Sequence, residues 1–152
     1  MKFLSTPQHH SDADVSSASQ NVDVIVVGSG AAALTAAATA SQAGLRVVVL
    51  EKAELLGGTS AVSGGMLWVV DNDYARAAGL DDSKEAGRAY VEAVARSRGR
   101  TELWDAALNH GDDMLRFVDR ELGLDFLFLD DFPDYRQDLP GAATGGRTIE
   151  PA

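Results

Sequence analysis

The chain has 152 residues, with 23 acidic against 13 basic side chains and a formal charge of −10. This balance argues against a nucleic acid or an anionic membrane surface as partner, because both call for a positive footprint. The absence of cysteine excludes a disulfide framework or an iron–sulfur cluster within the chain, and no stretch approaches the ~18 consecutive apolar residues of a membrane helix.

Residues 1–21 are polar and serine-rich, without the apolar core of a secretory signal, and are expected to be a disordered leader. Together with the lack of cysteine this fits a cytoplasmic protein. The run Val22-Asp23-Val24-Ile25-Val26-Val27 is mostly β-branched with no polar alternation, which predicts a parallel strand buried on both faces. It leads into Gly28-Ser29-Gly30-Ala31-Ala32-Ala33, a match to G-x-G-x-x-A. In that pattern the first glycine makes a tight turn, the second lets backbone approach a pyrophosphate, and the third small residue packs helix on sheet. The alanine-rich stretch from Ala31 to Ala43 predicts a helix whose N-terminal N–H groups face the phosphates, with Gly44 as its stop. A second strand, Arg46 to Leu50, ends at Glu51, which follows Ala33 by 18 positions. That lies close to the roughly 20 residues at which an acid accepts hydrogen bonds from a ribose diol.

A nicotinamide enzyme would continue after the acid into another helix and strand. Here Lys52 leads instead into Gly57-Gly58-Thr59-Ser60, and Ser63-Gly64-Gly65 follows. Bare backbone N–H groups and hydroxyls at these turns suit a second contact with an extended pyrophosphate and ribityl chain, which favours a flavin dinucleotide. Two ordinary loop turns are the plain structural reading of the same residues.

Beyond Gly65 the pattern turns mainly helical. Met66 to Val70 is a short apolar run, readable as simple core or as lining near a ligand. Asp81-Asp82-Ser83 reads as a helix start, with Tyr90, Val91, Val94 and Ala95 as its packing face. Thr101 is the expected cap of a further helix in which Trp104, Leu108, Leu115, Val118 and Leu122 follow helical spacing up to Gly123. Phe126 to Leu129 reads as a short strand.

GSGAAAL, LEK and GGTSAVSGG resemble the flavoprotein family of fumarate reductases, succinate dehydrogenase flavoprotein subunits and 3-ketosteroid Δ1-dehydrogenases. The likeness to the ketosteroid dehydrogenase branch runs furthest, through residues 57–94 and the segment FPDYRQDLPGAATGGRTIEP at 132–151. It implies an α/β fold: the N-terminal part of a Rossmann-like FAD-binding domain with parallel strands, followed by a mainly helical segment. Residues 22–152 would be that part, with the remaining FAD-binding strands and a substrate-capping domain outside it and the isolated piece poorly stable and inactive. It further implies FAD as cofactor, contacted by Gly28, Ser29, Gly30, Ala32 and Ala33 at the first turn and by Glu51 and Lys52 at the strand end. Gly57, Gly58, Thr59, Ser60, Ser63, Gly64 and Gly65 complete the set at the later turns. Gly58 stands where relatives that link FAD covalently carry histidine, so noncovalent binding is expected. The implied reaction is 1,2-dehydrogenation of a 3-ketosteroid with Tyr135 supporting the base, the principal base and ketone donor lying elsewhere. Arg147 is read either as a contact to FAD or its surroundings or as a surface ion pair. A fumarate reductase-like action on a dicarboxylate and a noncatalytic FAD or ADP module are the alternatives. The partners implied are a small-molecule substrate and an external electron acceptor.

Overall fold

The computed structural model describes residues 21–96 and 98–152; the expected leader falls, except for Asn21, outside the described residues. Strand β1 (Val24–Val27), helix α1 (Ala31–Gln42) and strand β2 (Val47–Leu50) form the expected βαβ unit. β1 and β2 pair in parallel, from Val24 opposite Val47 to Val27 opposite Leu50. Asp23 and Arg46 close its lower end through a two-point ion pair, and the Gly28 N–H donates to the Leu50 carbonyl at 2.7 Å at its upper end. Gly44, at φ +81°, follows the last residues of α1 as the sequence predicts.

Burial on both faces is not observed. α1 packs against β1 and β2, but Ile25 is 58% exposed, Val27 80% and Leu50 52%. An apolar strand without alternation is built for two-sided cover, and among the described residues helix packing covers one side.

The remainder is mainly helical, as expected, with the anticipated strand at Phe126–Leu129, and adds a small antiparallel sheet. A short 3-10 helix (Gly58–Val62) replaces the first of the two anticipated loop turns. Strand β3 (Leu67–Trp68), helices α2 (Asp73–Ala77), α3 (Lys84–Ala95) and α4 (Thr101–Arg120), and strands β4 (Phe126–Leu129) and β5 (Thr148–Pro151) follow. β5 lies between β3 and β4 and is antiparallel to both. Ser83 caps α3 by accepting the Ala86 N–H at 3.1 Å, as the sequence indicates. Thr101 is not a cap: it is already helical, with Arg100 at the cap position. α2 was not legible as a helix; its cap is Asn72, whose buried side chain accepts from the Ala75 N–H and donates to the carbonyls of Val69 and Gly146.

The core gathers here. Val69, Leu115 and Ile149 are buried together, with Leu67, Tyr74, Met114, Phe126 and Phe128 packed around them. α3 approaches so closely that a Cβ on Gly87 would collide with Val70. Near this core Asp112 is largely buried and accepts from both Arg76 and Arg116 at 2.5 Å, while Asp73 accepts from the same two arginines.

Candidate functional site

The first glycine turn has the conformation the motif requires. Gly28 sits at φ +97°, in the left-handed region that β-branched residues avoid. Gly30 takes the cap position of α1, and the Ala31 N–H donates to Ser60 Oγ at 3.1 Å, so the two glycine turns meet. Ala32 and Ala33, the next two residues of the helix, have no backbone N–H acceptor among the described residues. They point the positive end of the helix dipole outward.

Ser29 is 1% exposed and joins three parts of the site. Its hydroxyl donates to Glu51 Oε2 at 2.5 Å and accepts the Gly57 N–H at 2.9 Å. Glu51 Oε1 accepts the Ala53 N–H at 3.0 Å. These bonds, that from Ser29 foremost, hold the Glu51 carboxyl below its ordinary pKa and keep it anionic. A carboxylate has about four acceptor positions, so two such bonds leave room for a diol. Lys52 is exposed beside it.

At the second turn Gly57 has φ +105°, and a Cβ there would stand 2.5 Å from that of Ala61, so only glycine fits. Gly58, Thr59 and Ser60 begin the 3-10 helix and are exposed. Ser63 turns inward on its own loop, donating to the Ser60 carbonyl at 2.8 Å and accepting the Gly65 N–H at 3.1 Å. Gly64 is exposed, and Gly65 has φ +74°. Anionic acceptor at the strand end, outward amides at the helix start, and bare glycine turns brought together by Ser29 and Ser60 are a donor set that fits FAD. Glu51 would hold the adenosine ribose and the Gly28–Ala33 turn the pyrophosphate. Of the three histidines, His110 lies exposed on α4, and His9 and His10 fall outside the described residues.

A second feature begins where the glycine turns end. Met66, Leu67 and Trp68 form one side of an open apolar cleft of about 480 Å³, with Tyr90, Val91 and Val94 of α3 and Phe132 to Arg136 as its other sides. The apolar run 66–70 therefore divides: Met66 to Trp68 line the cleft, while Val69 and Val70 are core. Tyr90, Val91 and Val94, expected as a plain packing face, border this cleft as well. Tyr135 stands at it with 86% of its surface exposed, its ring edge-on to Phe132 at 6.3 Å.

Arg147 departs from the surface ion pair read from the sequence. It is 2% exposed, and no surface ion pair is formed: its guanidinium donates to Asp82 at 2.5 and 3.0 Å and to Asp134 at 2.7 Å, and lies 5.4 Å from the Trp68 ring centre. Burial alone would push Asp82 up, but the arginine's hydrogen bonds and charge outweigh it and leave the carboxyl below its ordinary value. Asp134 also accepts the Trp68 indole N–H at 2.6 Å. Sequence reasoning missed Asp82, Asp134 and Trp68 as a unit because their positions are scattered along the chain; an arginine after Gly145-Gly146 was the one local signal.

The family of FAD-binding domains matches this chain over residues 23–149. The chain belongs to that family. FAD is accordingly its cofactor. It is 66% identical over 129 residues to 4-oxocyclohexanecarboxylate 2-dehydrogenase of Sinomonas cyclohexanicum, covering 85% of this chain and 22% of that protein. It is 41% identical over 132 residues to 3-oxosteroid 1-dehydrogenase of Mycobacterium tuberculosis, covering 87% and 23%. Among solved structures it resembles 3-ketosteroid delta1-dehydrogenase from Sterolibacterium denitrificans in complex with 1,4-androstadiene-3,17-dione, with a TM-score of 0.76, 40% identity, and coverage of 86% and 23%. The chain thus spans less than a quarter of the length of these relatives. Among the described residues no helix is long and apolar enough to cross a membrane.

Proposed function

We propose that this chain is the FAD-binding portion of an oxidoreductase that dehydrogenates a cyclic ketone between the α and β carbons of its carbonyl. The observation that carries the reading is the apolar cleft that starts at Met66, directly after the glycine turns, and holds Tyr135 at its edge. When bound, FAD supplies the hydride acceptor. The ketone acidifies the proton on its α-carbon, and that proton passes to a base, while the hydride leaves the β-carbon. Tyr135 supports the base by hydrogen bonding, since a phenol both donates and accepts. Trp68, Val91 and Val94 exclude water from an apolar ring, and the glycine turns with Glu51 hold the cofactor noncovalently.

A monocyclic 4-oxocyclohexanecarboxylate-type ketone is the first choice of substrate, supported by the 66% identity to an enzyme named for it. A 3-ketosteroid is the second, supported by the apolar cleft and the 40% identity to a steroid-bound dehydrogenase. A dicarboxylate receives less support: Arg147 is engaged by Asp82 and Asp134, and Arg136 at the cleft by Asp138 at 2.7 and 2.8 Å. A noncatalytic flavin module would have no use for the cleft. A cytoplasmic location and an external electron acceptor complete the reading.

The test is the visible spectrum of the purified holoenzyme under anaerobic conditions, before and after each ketone. Flavin bands that bleach with 4-oxocyclohexanecarboxylate establish the first choice, and bleaching by the steroid alone moves the assignment to the second. Bands unchanged by both ketones remove the dehydrogenase reading.

A further inference from the structure

Tyr135 projects from its loop, yet the residues on either side of it are tied down. On the N-terminal side Asp134 is 7% exposed and uses both carboxylate oxygens. Oδ1 accepts the Trp68 indole N–H at 2.6 Å, and Oδ2 accepts Arg147 at 2.7 Å and the Ala143 N–H at 2.9 Å. Arg147 in turn donates to the Gly141 carbonyl at 2.9 Å and to Asp82. One guanidinium thus binds both ends of the 134–141 loop to β5 and to the approach of α3. On the C-terminal side the Arg136 N–H donates to Tyr90 Oη at 3.1 Å, and Tyr90 is itself buried on α3.

A buried ion pair is a weak source of net stability, since apolar replacement is often neutral or favourable. Directional bonds on both flanks of one exposed phenol give something apolar packing does not, a fixed backbone direction at that residue. A displacement of about 1 Å at a reacting centre can cost on the order of 10²-fold in rate. Phe132, packed edge-on, restricts the Tyr135 ring further.

We propose that Tyr90 and the Arg147–Asp134 pair are positioning residues for Tyr135, clamping the backbone before and after it so that the phenol is presented to the cleft in one place. The proposal rests on the reading of Tyr135 as support for the catalytic base. It acts through hydrogen bonds alone and requires no group beyond those named.

The experiment is a double-mutant cycle in the holoenzyme, read as kcat and KM for the ketone that bleaches the flavin. Tyr90→Phe keeps the buried ring and removes the acceptor of the Arg136 N–H. It should lower kcat about 10-fold with KM within about 2-fold and flavin content unchanged. In a Tyr135→Phe background the same substitution should change kcat by less than about 2-fold, because its effect passes through the missing phenol. Arg147→Lys, which keeps the charge and loses the fork, should repeat the pattern as the second variant. Equal losses in both backgrounds mark a general structural effect and overturn the proposal. So does a Tyr135→Phe enzyme that is impaired while Tyr90→Phe and Arg147→Lys turn over normally. Wild-type turnover in Tyr135→Phe overturns the proposal together with the reading beneath it.

Discussion

Residues 22–65 and residues 66–151 are built on opposite plans. The first region holds the glycine turns and Glu51 on two strands whose apolar side chains remain open, Val27 at 80% and Leu50 at 52% exposed. The second buries Leu115 and Ile149 at 1% or less and closes its polar groups into ion pairs. Cofactor recognition depends on backbone conformation near the surface and asks little of the interior, while the neighbouring core supplies rigidity. Mutations of similar size should therefore act very differently in the two regions.

The largest loss is expected from Arg147→Met, which leaves Asp82 and Asp134 buried without their cation and should cost about 3–5 kcal/mol in urea unfolding. A cost under about 1 kcal/mol would mean that the second region does not depend on its buried charges. Leu115→Ala follows, at about 2–5 kcal/mol from lost burial and the cavity left behind. Gly28→Val forces a β-branched residue to φ +97°, with about 1–3 kcal/mol of local strain. It should abolish flavin retention, measured as the ratio of flavin to protein absorbance, while leaving the circular dichroism of α3 and α4 in place. Unchanged flavin content would remove the first turn from the cofactor site.

Acid should act on the second region, more modestly. Asp73, held well below its ordinary pKa by Arg116 and then Arg76, and Asp82 are depressed in the folded state. A depressed carboxyl stabilises the fold above its unfolded pKa, so stability should be level above about pH 4 and fall as pH drops through that value toward the folded pKa. Asp73→Asn should flatten that fall in a pH series of thermal midpoints, by a small amount because Asp73 is partly exposed and screened. The smallest effect is expected from Val27→Thr, within about 0.5 kcal/mol in the chain alone. A loss comparable with that of Leu115→Ala would show that β1 is covered in solution.

The legible part of the fold was the local part. Strand, glycine turn, α1, strand and acid are contiguous, and each announces itself within a few residues; the same holds for Ser83 as the α3 cap. The antiparallel sheet was hidden because β5 pairs with strands far away in sequence, and its own Thr148-Ile149-Glu150-Pro151 is too short to display a period. α2, at five residues, shows no helical stripe, although its cap, Asn72 accepting the Ala75 N–H, is a local one. For the site, residue types predicted the turns and the acid. The burial of Arg147 depends on Asp82 and Asp134, partners that no local pattern names.

The placement of β5 between β3 and β4 also bears on how the protein is made. About 80 residues separate Trp68 from its partner Thr148, so at roughly 5–20 residues per second the ribosome takes about 4–16 s to supply it. During that interval the side chains of β3 and β4 emerge with no strand to join them, and Arg147 has not yet reached its two carboxylates. The helices can form as they are synthesised, but of the three strands the central one arrives last.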